Sequence, residues 1–154
     1  MKPIHALIIL AIISSCAEKK EAGHKDLKGS WQLFYASSST KDTTMVTDLS
    51  HIKMIKILND THFAFMQHIL KDDADTLAVR SNEFGGGGGT YTLIGNAYKE
   101  HLEFCSAAGY EGKDFDFTIE VRGDTLIQTG EEKLKDLGIG EENLKLVEKY
   151  VRIN

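Results

Sequence analysis

Proline, cysteine and tryptophan are scarce: the 154 residues hold one proline, two cysteines and one tryptophan. Lys and Arg do not cluster on any segment, and the formal charge is −5. A nucleic-acid partner is therefore excluded, because phosphate recognition asks for basic residues gathered on one face. The apolar run at residues 6–13 is about eight residues long, far short of the ~18–20 that cross a bilayer as a helix. No His/Cys spacing of the zinc kind occurs. What is abundant points to β structure: 14 glycines, with many short runs of Ile, Val, Thr, Tyr and Phe. Hydrophobic content of 42% is ordinary for one soluble domain with a real core.

The first residues are an address. Lys2 precedes the apolar run, and small Ser14 and Ser15 precede Cys16, the pattern of a secretory signal. Ile13-Ser14-Ser15-Cys16 resembles the lipobox of bacterial lipoproteins. The resemblance implies a signal peptide over 1–15, cleavage before Cys16, and acylation of that cysteine as a membrane anchor, with an outer-membrane location expected. The alternative is an ordinary signal peptide with a chance cysteine. Several acyl chains on one cysteine hold a protein stably where a single chain is marginal. With Cys16 acylated, Cys105 has no partner and the domain must be held by its core alone. Residues 16–26 are polar and aperiodic, a tether; residues 27–154 are the folded domain.

Within that domain, period-2 alternation predicts strands at 31–36, 51–58, 62–69, 76–80, 114–122, 125–129 and 144–153. A central hairpin turns at Gly95-Asn96, and residues 71–75 form another turn. Phe115, Phe117, Ile119 and Val121 alternate with Asp114, Asp116, Thr118, Glu120 and Arg122, so one face is buried and the other wet. Residues 36–50 read as a long loop. At 131–137 the period changes, with Leu134 and Leu137 three apart and Gly138 as a stop, which predicts a short helix before the last strand. The expected fold is all-β: an antiparallel up-and-down barrel of eight to nine strands, closed so that no sheet edge is exposed.

Gly29-x-Trp31 on the first strand, Arg152 on the last, the long loop after the first strand and the late helix together resemble lipocalin-like (calycin) barrels. Residues 87–104 and 117–130 are similar to bacterial lipocalin-like lipoproteins of uncharacterised role. The resemblance implies that Trp31 packs under Arg152 to close one end of the barrel.

The glycine run at 85–89 has no lysine after it and leads into a strand pattern, so it is not a phosphate loop; it reads as a bend or close approach at a barrel rim, or a gate. On the central hairpin Tyr98, Glu100, Leu102 and Phe104 share a face, opposite Ala97, Lys99, His101 and Glu103. That places one carboxylate inside, which is costly without a partner. Either Arg80 or Arg152 pairs with Glu100, or Glu100 anchors a ligand's amine or hydroxyl beside Tyr98 and Gln67. His62 and His68 share a strand face but lie roughly 20 Å apart at the usual strand rise. His101 with Glu103 is at most a weak metal site. His5 falls in the signal and His24 in the tether. Cys105 reads as a small apolar residue and Asp114 with Asp116 as solvated charges. No catalytic group, cofactor or metal is expected, and oligomeric state is not legible. The expected function is binding of a small, mostly apolar ligand by Phe63, Phe65, Gln67, Tyr91, Tyr98, Glu100, Leu102 and Phe104. The alternative is a structural or interaction lipoprotein with a filled barrel, and an enzyme on the same scaffold ranks last.

Overall fold

The computed structural model describes residues 27–70 and 84–154. The expected signal peptide, Cys16, the expected tether, the turn expected at 71–75, the strand expected at 76–80 and Arg80 lie outside the described residues. Nine strands follow in order: β1 Gly29–Ser39, β2 Thr44–Val46, β3 Ile52–Leu58, β4 His62–Ile69, β5 Phe84–Ile94, β6 Ala97–Cys105, β7 Asp114–Arg122, β8 Thr125–Glu132 and β9 Leu144–Ile153. All neighbours are antiparallel, in the order β1-β3-β4-β5-β6-β7-β8-β9, and β9 pairs back onto β1. These eight strands close a barrel, and β2 is an extra strand within the long loop that the sequence predicts. The first half of β1 pairs with β3 and its last three residues pair with β2, so one strand serves both partners.

Alternation builds the core. Every second residue is buried from Tyr98 to Leu102 in β6 and from Phe115 to Ile119 in β7, and Tyr98, Leu102, Phe115, Phe117 and Ile119 join Trp31, Leu58, Phe63, Leu126 and Tyr150 in one apolar cluster. The tight turns at 59–61, 95–96 and 123–124 gather at one end, together with the start of β1 and the end of β9. That end is closed. Trp31 is 0% exposed, its indole N–H donates to the Leu27 carbonyl at 2.7 Å, and the Arg152 guanidinium lies 4.1 Å from its ring centroid. Arg152 also donates to the Lys28 carbonyl at 2.7 Å. The cation over the indole face and the satisfied buried donor both favour this arrangement. Arg152 is thereby committed to the closed end and is not the partner of Glu100.

Two local expectations are corrected. Residues 131–137 are not a helix: Glu131 and Glu132 pair with Lys145 and Leu144 as the end of β8, and the remainder is a series of turns. Ladder pairing overrides a propensity that a segment this short cannot nucleate alone. The glycines at 85–89 are not a rim bend but part of β5: all five pair with β4, and Gly87, Gly88 and Gly89 pair with β6 as well. Their close-approach role holds. A Cβ on Gly89 would come to 2.0 Å from the His101 carbonyl oxygen, and one on Gly87 to 2.9 Å from the Phe65 ring.

Candidate functional site

The inward faces of the strands carry the site. Met54 and Lys56 come from β3, Phe65 from β4, Glu100 and Leu102 from β6, Phe115 and Phe117 from β7, Gln128 and Glu132 from β8, and Leu146, Glu148 and Tyr150 from β9. With Tyr110, from a single 3-10 turn at Ala108–Tyr110, they enclose a cavity of about 160 Å³. It lies away from the Trp31 end, toward the longer connections. A second pocket of about 440 Å³ shares Phe65 and Tyr110 with it and adds Gln67, Gly85, Gly86, Cys105, Ser106 and Ala107. Phe65 and Tyr110 therefore stand between an inner cavity and an outer mouth.

The deep wall of the cavity is charged. Lys56 and Glu100 are 3% and 5% exposed and form a buried ion pair. The Lys56 ammonium also donates to Gln128 Oε1 at 2.7 Å. Three aromatic faces surround the ammonium: Phe63, Tyr98 and Tyr150, with centroids at 5.4, 5.5 and 5.8 Å. Desolvating two charges is expensive, and this pair is held by close geometry, an extra acceptor and ring quadrupoles. Above it the Tyr150 hydroxyl donates to Glu148 at 2.7 Å. Burial pushes the Glu148 carboxyl up, opposed by Lys56 and by that hydroxyl. Burial, then the charges of Glu148 and Glu100, raise Glu132 to about 7. Burial, then the adjacent carboxylates, hold the phenols of Tyr98 and Tyr150 well above their ordinary value. The Tyr98 hydroxyl is buried and has no hydrogen-bond partner.

Of the residues expected to line a ligand site, Phe65, Glu100 and Leu102 are on the cavity wall, and Gln67 is in the mouth. Phe63 and Tyr98 lie in the packed core beneath. Tyr91 belongs to the closed end, where its hydroxyl donates to the Asn59 carbonyl at 2.7 Å. Phe104 points outward and is 55% exposed, contrary to expectation. The register between β5 and β6 shifts there: Leu102 faces Gly89 and Phe104 faces Gly88, so Glu103 is an extra residue and the alternation changes phase. The partner of Glu100 is Lys56, not an arginine. Lys56, Gln128, Glu132 and Glu148 were not singled out from sequence. Lys56 shares a face with Met54 and Leu58, and Glu148 one with Leu146 and Tyr150, and a lone charge on such a face is the signal that finds them.

Elsewhere on the wall of the barrel, the Asp114 carboxylate meets His101 at 2.7 Å and Asp116 meets Lys99 at 3.2 Å, all on the wet face. Among the described residues no group of His, Cys, Asp and Glu is arranged to hold a metal ion. No protein-family model matches the chain, and no curated protein matches it.

Proposed function

We propose that this chain is an exported lipocalin-like lipoprotein, anchored to the membrane through Cys16, whose barrel binds one small molecule without transforming it. The observation that carries the reading is the cavity: apolar Met54, Phe65, Leu102, Phe115, Phe117 and Leu146 line it together with Lys56, Glu100, Gln128, Glu132 and Glu148. A cavity of about 160 Å³ is comparable to one that takes benzene, and the adjoining mouth of about 440 Å³ is within the size range of small-molecule sites. Trp31 and Arg152 seal one end, so entry is from the loop end. Native mass spectrometry of protein purified from its own host tests this. A stoichiometric co-purifying mass is expected, lost when Phe65→Trp and Leu102→Trp fill the cavity. A bare polypeptide mass that ignores both substitutions overturns it.

A filled structural barrel is the second reading, favoured by one fact: Glu100 is already answered by Lys56 within the protein. On that reading the cavity binds nothing and the surface loops meet an envelope partner.

A further inference from the structure

The charges on the cavity wall do not balance. Among the described residues Lys56 is the single cation there, and its ammonium is engaged by Glu100 and Gln128. Glu148 and Glu132 line the same wall, and one neutral donor, the Tyr150 hydroxyl, serves Glu148. Neither carboxylate has an ion pair among the described residues. Beneath the cavity, the Tyr98 hydroxyl, 2% exposed, lies close to the Glu100 carboxylate and the Tyr150 phenol, both on the cavity wall.

Each class of occupant can be weighed against this wall. A purely apolar molecule would cover both carboxyls without giving them a partner, so they would have to take up protons, at a cost that grows as pH rises above neutrality. An anionic molecule would add like charge. A metal ion needs converging donors, and the described carboxylates do not converge in that way. A cation with an apolar body meets every requirement, because an ammonium supplies the missing positive charge and the aromatic rings of Phe65, Tyr110 and Phe115 suit both parts.

We propose that the cavity takes a small organic amine, its ammonium group held by Glu148 and Glu132 and its apolar body, about benzene in size, packed on Met54, Phe65 and Leu146. This rests on the ligand-binding reading of the barrel and names the ligand class for it. The remaining titratable groups facing this pair are Lys56 from β3, Glu100 and Tyr98 from β6, Tyr150 from β9 and Tyr110 from the 3-10 turn. Because Glu132 titrates at about 7 and Glu148 is also raised, an ammonium binds best once both have lost their protons. Affinity therefore rises with pH through neutrality.

The test is titration calorimetry of the full chain with three probes of one size: benzylamine, benzyl alcohol and benzoate. Benzylamine is expected to bind about tenfold or more tighter than benzyl alcohol, the worth of one charge-assisted contact, and benzoate not at all. Glu148→Gln and Glu132→Gln should each weaken benzylamine by about tenfold and benzyl alcohol much less, and circular dichroism and a thermal melt show separately that the variants are folded. Going from pH 8 to pH 6 should weaken benzylamine in the native protein and less in Glu132→Gln. Benzyl alcohol binding as tightly as benzylamine, or benzylamine indifferent to Glu148→Gln, overturns the amine and leaves the ligand-binding barrel standing. Binding of none of the three overturns the amine, and a bare native mass in addition removes the ligand-binding reading.

Discussion

Lys56 on β3 and Glu100 on β6, 44 residues apart in sequence, form an ion pair across the interior of the barrel with neither side chain more than 7% exposed. Their meeting links two strands that are not neighbours in the sheet, since β4 and β5 lie between them. The pair pins the interior where hydrogen-bond ladders cannot reach.

Removing one partner should be far worse than removing both. Lys56→Met strands a buried carboxylate and Glu100→Leu leaves a buried ammonium, and each is expected to cost about 3–5 kcal/mol. Lys56→Met with Glu100→Leu removes both charges and should recover most of that loss, because a well-packed apolar replacement is about neutral. Denaturant titration of the three variants measures the coupling. Additive losses in the double variant would show that the two residues act separately.

Glycine in β5 should be replaceable at one end and not in the middle. A Cβ on Gly85 meets only the Ser106 hydroxyl at 3.5 Å, whereas on Gly89 it would strike the His101 carbonyl at 2.0 Å and the Glu103 amide at 2.7 Å. Gly85→Ala is expected to be neutral or to stabilise by about 0.4–1 kcal/mol through the unfolded chain. Gly89→Ala forces β6 away and should cost about 2–3 kcal/mol, a drop in Tm on the order of 5–10 °C. Equal melting temperatures would contradict the close approach of β5 and β6.

The contrast between these strands explains how much was legible in the sequence. β7 is readable because its odd residues 115–119 are apolar and the residues between them polar, so burial follows from period alone. Lys56 is not readable that way. In β3 Ile55 and Ile57 are apolar on the outer face while Met54 and Leu58 are apolar on the inner one, and each face also carries a lysine. Which lysine is inside depends on the register with β1 and β4. Phe104 follows the alternation of β6 until Glu103 adds one residue, and a bulge of that kind depends on the glycines opposite. The helix expected at 131–137 had suitable local chemistry, but β9 takes Glu131 and Glu132 into its ladder and the residues after them close as turns. The packing of Trp31 with Arg152 came from the resemblance to lipocalin-like barrels and not from period or composition; the guanidinium lies 4.1 Å from the indole centroid.

The proposed membrane anchor is tested apart from the barrel. If Cys16 is acylated, the mature chain fractionates with membranes, and Cys16→Ser should release it or block maturation. Mass spectrometry of the mature amino terminus should show a lipid-modified cysteine. An unmodified mature terminus elsewhere in the first residues would indicate an ordinary signal peptide.

The unpaired carboxylates should make the protein less stable as pH rises. Glu132 titrates at about 7 in the fold against an ordinary value of 4.5, so between those values the folded state holds more protons than the unfolded chain. Stability from this group is fully present below about pH 4.5, falls through pH 7, and is constant above it. Glu148, also raised by burial, acts in the same direction. The expected loss across that window is on the order of 2–3 kcal/mol for Glu132. Glu132→Gln cannot ionise, so it should be more stable than the native chain at pH 8, nearly equal to it at pH 4.5, and flatter between. Urea unfolding of both proteins at several pH values reads the difference directly, with every group shared by the two chains cancelling. A native chain that gains stability relative to Glu132→Gln as pH rises would mean that Glu132 has a cationic partner in solution.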